Sequence, residues 1–230
     1  MDFEFMSNLL ETIEIETAPN PTAAVIWMHG LGADGNDFAP IVPELRIANA
    51  PAIRFIFPHA PMMPVTINNG YVMRAWYDVS FGDLEGKTRQ ADEKGVRASQ
   101  VAIGKLIERE AARGIAFDKI AIAGFSQGGA IALQTGLRYP HKLAGIMALS
   151  TYLPLAESLP AEASAPNRAI PVFYAHGSAD PVIPMAMATT SRKVLGAAGY
   201  AVEWHEYPMQ HSVCPEEIRD ISAWLAKVLR

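Results

Sequence analysis

Cysteine is nearly absent: Cys214 is the only one in 230 residues. No intrachain disulfide can form, and the expectation is a reducing compartment and a cytoplasmic protein. Positive charge is missing from the start of the chain. Met1 to Thr17 holds Asp2, Glu4, Glu11, Glu14 and Glu16 but no Lys or Arg, which argues against a signal or transit peptide. No apolar run approaches the ~18 residues of a membrane span, so stable membrane insertion is not expected. There is no basic run, and the formal charge is −5; both speak against nucleic acid as a partner. Internal repeats, low-complexity stretches and a dividing linker are also absent, so residues 1–230 are expected to form one domain.

What is present is an alternation of strands and helices. Glu11 to Thr17 alternates apolar and polar residues, as a half-exposed edge strand does. The runs Ala23 to Met28, Ile53 to Phe57, Lys119 to Ala123, Leu143 to Leu149, Ile170 to Ala175 and Ala201 to Tyr207 read as strands, most of them continuously apolar. Helices are expected near Asp37–Ala48, over Asp92–Arg113 and Gln127–Arg138, up to about Gly196, and from about Pro215 to Leu229. Continuous rather than alternating apolar strands imply a mostly parallel, doubly wound α/β sheet with helices on both faces. In such sheets ligands bind beyond the carboxyl ends of the strands.

The strand ending at Ala123 runs into Gly124-Phe125-Ser126-Gln127-Gly128-Gly129 and then directly into a helix. Gly-x-Ser-x-Gly in that setting is a nucleophile elbow: a tight turn lifts the serine hydroxyl above the sheet edge. The plainer reading is a glycine-rich turn whose serine caps the helix.

A serine hydroxyl needs a base, usually histidine. Of six histidines, His29 shapes a glycine loop, His59 follows Pro58, and His141 lies at a helix–strand connection at the wrong end of the sheet. His176 opens a turn, and His205 lies within a strand. His211 follows the last strand, at the correct end, and is the expected base. Asp180, in the loop before that strand, is the expected acid, with a turn residue before Pro181 as the alternative. The chain order Ser126, Asp180, His211 is that of α/β hydrolases. For the oxyanion, the amides of Gln127 and of Leu31 in His29-Gly30-Leu31-Gly32 are the expected donors.

With these residues placed, the chain resembles the small carboxylesterases and acyl-protein thioesterases of the phospholipase/carboxylesterase family. The matching pieces are His29-Gly30-Leu31-Gly32, Arg74-Ala75-Trp76-Tyr77-Asp78, Gly124 to Gly129, His176-Gly177 with Asp180-Pro181-Val182, and His211-Ser212. The resemblance implies an α/β-hydrolase core, no metal or other cofactor, and hydrolysis of carboxylic esters or thioesters of short to medium acyl chains. The substrate it implies is a small ester or thioester, an acylated protein or a lysophospholipid. Homodimers are common among similar proteins.

Between His59 and Asp92 no clear period is visible, yet the segment is rich in Met and aromatic residues. It is expected either to plug one end of the core or to cover an apolar substrate groove, with Met73, Trp76 and Tyr77 as candidate substrate-binding residues. The gap from Ser150 to Ala169 is too short for a lid domain, which disfavours a lipase working at a lipid surface. Rival readings are a lysophospholipase, peptidase or lactonase on the same frame, and a binding protein without catalysis. Cys214 is expected to pack at the start of the last helix rather than to react.

Overall fold

In strand β2 (Ala23–Met28), successive side chains enter two different cores. Ala24, Ile26 and Met28 join one buried cluster; Ala23, Val25 and Trp27 join the other. Side chains alternate across a strand, so a run apolar at every position is stable only where both faces are covered. Strand β6 (Ile120–Phe125) divides likewise, Ile120 and Ile122 to the first core and Ala121 and Ala123 to the second. The computed structural model describes residues 9–80 and 92–230; the acidic start before Leu9, and Phe81, lie outside them.

The main sheet has seven strands in the order β1-β3-β2-β6-β7-β8-β9. β1 (Thr12–Glu16) lies at one edge, antiparallel to β3 (Ile53–Pro58), with Ile13 opposite Phe57. The other pairings are parallel and include β7 (Gly145–Leu149), β8 (Val172–Gly177) and β9 (Val202–Tyr207). From β2 the chain steps outward to β3, then returns to place β6 on the other side of β2. The order therefore reverses between β2 and β6, and sheets of this kind bind ligands beyond the carboxyl ends of the strands at such a point.

Helices α1 (Glu93–Ala112), α2 (Gln127–Arg138), α3 (Leu159–Glu162) and α4 (Met185–Ala197) supply the first core. Helix α5 (Pro215–Val228), through Ile221, Trp224 and Leu225, covers the second. In α1 the buried face holds Val96, Ile103, Leu106 and Ile107, at the spacing of an amphipathic helix. Asp92 caps it by accepting the Gly95 amide at 2.9 Å, and Gly114 closes it at φ +95°. Glu110 of α1 is fully buried and bonds Arg54 of β3 at 2.7 Å. No described helix is long and apolar enough to cross a membrane.

Two expectations are corrected. The helix expected near Asp37–Ala48 is a short 3-10 segment, Ala39–Glu44, with Pro43 inside it; a proline there lacks the N–H that an α-helix needs and clashes with the preceding turn. The aperiodic stretch after His59 contains an antiparallel hairpin, β4 (Met62–Val65) and β5 (Tyr71–Arg74), with Met63 opposite Met73. Asn69 and Gly70 close it at φ +55° and +76°. Asn-Gly is the turn signal for such a hairpin, but Met-Met-Pro-Val and Tyr-Val-Met-Arg do not alternate in polarity, so no strand period shows.

Candidate active site

Strand β6 delivers Ser126 at φ 53° and ψ −120°, a conformation strained for any residue but glycine. The surroundings hold it there. Its N–H donates to Leu149 O of β7 at 2.8 Å. Its carbonyl accepts the Thr151 hydroxyl at 2.6 Å and the Ala130 amide at 3.1 Å. The flanking glycines answer to space: a Cβ on Gly124 would stand 2.5 Å from Gly129 N, and one on Gly128 would stand 2.6 Å from His29 O. Helix α2 thus starts hard against β2 and β6, and its first amides, which have no intrahelical acceptor, open beside Ser126.

Asp180 follows β8 and is wholly buried at its side chain. Its Oδ1 accepts the Val182 and Ile183 amides at 2.8 and 2.9 Å. Its Oδ2 accepts a hydrogen bond from the Nδ1–H of His211 at 2.6 Å. That bond fixes the tautomer and leaves Nε2 of His211 free to accept a proton. The loops carrying the pair are tied together: Ser178 and Ala179 amides donate to Tyr207 and Met209 carbonyls at 2.8 and 3.1 Å. A Cβ on Gly177 would stand 2.5 Å from Met209 O, so the approach needs glycine there. The His211 ring lies 4.7 Å from the ring of Phe125, the residue before the serine.

The glycine loop after β2 closes the third side. A Cβ added to Gly30 would lie 3.4 Å from Ser126 Cβ. His29 does shape this loop. Its ring is buried, with Nδ1 2.7 Å from Gly30 O and Nε2 accepting the Ala60 amide at 3.0 Å. Burial pushes its pKa down to about 4, so it is neutral near pH 7. Among the described residues no backbone acceptor takes the Leu31 amide; that of Gln127 heads α2.

The remaining histidines lie elsewhere or serve the frame. His59 Nδ1 accepts the Gly35 amide at 3.1 Å. His141 stacks on Phe117, at the amino end of β7, with ring centroids 4.2 Å apart. His205 stacks on Phe173 at 4.6 Å. His176 is buried beside Asp180, its Nε2 2.9 Å from Ile183 O and 3.7 Å from Asp180 Oδ2. Burial lowers its pKa, so it does not compete as a cation for the carboxylate. Cys214 is partly buried at the N-cap of α5.

Of the three groove candidates, Met73 is half-buried beside the glycine loop: a Cβ on Gly32 would lie 3.5 Å from its Sδ. Trp76 and Tyr77 are only 2% and 1% exposed. Their polar groups are engaged inside the protein: the Trp76 indole with His29 O at 2.8 Å, and the Tyr77 hydroxyl with that of Tyr152 at 2.8 Å. The structure therefore puts them beneath the site, not on an open groove wall. Sequence reasoning missed the Gln127 side chain, the Thr151 hydroxyl and the paired amides on Asp180. A polar residue that bonds to backbone leaves no spacing pattern to read.

The profile of the Phospholipase/Carboxylesterase family matches residues 10–229. Acyl-protein thioesterase 1 of Neurospora crassa is 42% identical over 214 residues, covering 90% of this chain and 87% of that protein. Its namesake in Gibberella zeae is 37% identical over 97% of both chains. Among solved structures, acyl-protein thioesterase 2 of Zea mays superposes with a TM-score of 0.83 at 29% identity, over 96% of this chain and 99% of that one. The chain belongs to the phospholipase/carboxylesterase family of α/β hydrolases.

Proposed function

We propose that this hydrolase cleaves carboxylic esters and thioesters through an acyl-enzyme on Ser126. The observation that carries the reading is the partly buried 2.6 Å bond from His211 Nδ1 to Asp180 Oδ2, at the same sheet edge as a strained serine. Ser126 Oγ attacks the acyl carbon while His211 Nε2 takes its proton. The carbonyl oxygen becomes an oxyanion held by the Leu31 and Gln127 amides. Asp180 stabilises the imidazolium. The intermediate collapses, and His211 returns the proton to the departing alkoxide or thiolate. Water then repeats the sequence on the acyl-enzyme and restores Ser126.

Within that class we assign acylated proteins as the substrate. The relatives reported above bear the name acyl-protein thioesterase at 37% and 42% identity. Met73 beside the glycine loop gives an apolar, adaptable surface for an acyl chain. A single cysteine supports a cytoplasmic site of action.

The test is Ser126→Ala, assayed on p-nitrophenyl butyrate, a palmitoylated peptide thioester and lysophosphatidylcholine. The expected result is loss of all turnover and of labelling by a fluorophosphonate. Near wild-type hydrolysis by Ser126→Ala overturns the mechanism. A wild-type preference for lysophosphatidylcholine over the peptide thioester overturns the substrate assignment.

A further inference from the structure

The segment Arg74–Tyr77 leaves the hairpin and bonds to both stretches that carry the oxyanion amides. On the β2 side, Arg74 O accepts the Gly32 amide at 2.9 Å, and the Trp76 indole N–H donates to His29 O at 2.8 Å. Leu31 is thereby tied down on both flanks. On the α2 side, Gln127 Oε1 accepts the Trp76 amide at 2.8 Å and Gln127 Nε2 donates to Tyr77 O at 2.6 Å. The segment is itself anchored from behind. Arg74 Nη1 donates to Ala60 O at 2.8 Å, the Ala75 amide donates to Pro61 O at 3.0 Å, and the Ser99 hydroxyl donates to Trp76 O. Gln127 is 4% exposed and Trp76 2%.

Oxyanion donors work because they are aimed before charge develops, within a few tenths of an ångström of the productive distance. The two donors here come from different elements, a loop after β2 and the first turn of α2. Their relative position needs something that holds both. We propose that the Gln127 side-chain amide and the Trp76 indole N–H are positioning groups for the oxyanion hole, joining the Leu31 and Gln127 amides through the segment 74–77. This rests on the assignment of those two amides made above. Neither group touches the reacting atoms, so both act on the transition state through the backbone and leave ground-state binding alone.

Three variants test it. Gln127→Met keeps the length of the side chain without its amide. Trp76→Phe removes the indole N–H. The benzothienyl analogue of tryptophan at position 76 replaces that N–H with sulfur and keeps the packing. Each is checked for folding by circular dichroism, and the folded ones decide.

The readouts are kcat, KM and two inhibitors. One is an acyl trifluoromethyl ketone: Ser126 Oγ adds to its carbonyl, His211 takes the proton, and the ketone oxygen becomes an oxyanion. The other is the matching ether, which has no carbonyl. Removing one oxyanion donor lowers rates by ~10²–10³, and loosening one should do less. The expected result is a fall in kcat of about 10- to 100-fold with KM within about twofold. The ketone should weaken by the same factor as kcat/KM, and the ether should bind as before. Folded variants that keep kcat within twofold overturn the proposal, as does a fall in kcat with ketone binding unchanged. If Ser126→Ala is inactive while these variants keep kcat, only the positioning role fails. If Ser126→Ala is active, the mechanism itself fails.

Discussion

Glu217 offers a quantitative test of the packing. It stands in the first turn of α5 and is fully buried, and no side chain among the described residues hydrogen-bonds either carboxyl oxygen. Burial raises its pKa from 4.5 to about 8, the nearby Asp220 carboxylate adds to the rise, and the Cys214 amide offsets only part of it. The folded chain therefore keeps a proton that the unfolded chain releases above pH 4.5. Where the folded state binds more protons, stability falls as pH rises. The loss is about 1.4 kcal/mol per pH unit between 4.5 and 8, or roughly 4–5 kcal/mol in all. Against a total stability of about 5–15 kcal/mol this is a large fraction.

Glu217→Gln has nearly the shape of the protonated acid and cannot ionise. The two proteins should be similarly stable near pH 4.5. The variant should then pull ahead steadily up to about pH 8 and hold its lead above that. Urea unfolding followed by tryptophan fluorescence, at fixed ionic strength from pH 4.5 to 9, measures the gap. Other groups that titrate in this range cancel in the difference. A gap that stays constant with pH, or that closes as pH rises, refutes the burial argument.

Further outcomes follow from the site. Asp180→Asn turns an amide toward His211 Nδ1 and favours the wrong tautomer, so kcat should fall by about 10³–10⁴-fold with the fold intact by circular dichroism. Gly128→Ala would place a Cβ 2.6 Å from His29 O. The atoms it meets are the backbone of Met28 and His29, so α2 must move, and loss of activity and roughly 1–3 kcal/mol of stability are expected in urea titration. Buried His29, with its pKa held at about 4, resists protonation that the unfolded chain accepts below pH 6.5. Stability should therefore fall by roughly 3 kcal/mol as pH drops from 6.5 to 4; His29→Gln should flatten that part of the profile.

Much of the molecule was legible in its sequence because local chemistry leaves a period. β2 and β6 are apolar at every position because both their faces are covered, and α1 shows its buried stripe at Val96, Ile103 and Leu106. The hairpin at Met62–Arg74 escaped because its residue types do not follow its burial: in β4 the apolar Met62 and Pro64 face solvent while Met63 and Val65 face inward. The helix expected near Asp37 overlooked the cost of Pro43 inside it.

The active site divides along the same line. Ser126, Asp180 and His211 were candidates in the sequence because each follows a strand in an order typical of this fold, and a parallel sheet brings all such loops to one edge. Trp76 and Tyr77 stood out in the sequence as aromatic residues near the candidate site, with nothing to say which way they face. An aromatic residue in an aperiodic stretch looks the same whether it faces an acyl chain or lies beneath the loop. Only the tertiary structure turned Trp76 inward, onto His29 O and the Gln127 side chain. Those bonds join residues 47 and 51 positions apart. Chain order and composition determine which strands and loops exist. Which buried donor meets which acceptor is settled by how those elements pack in space.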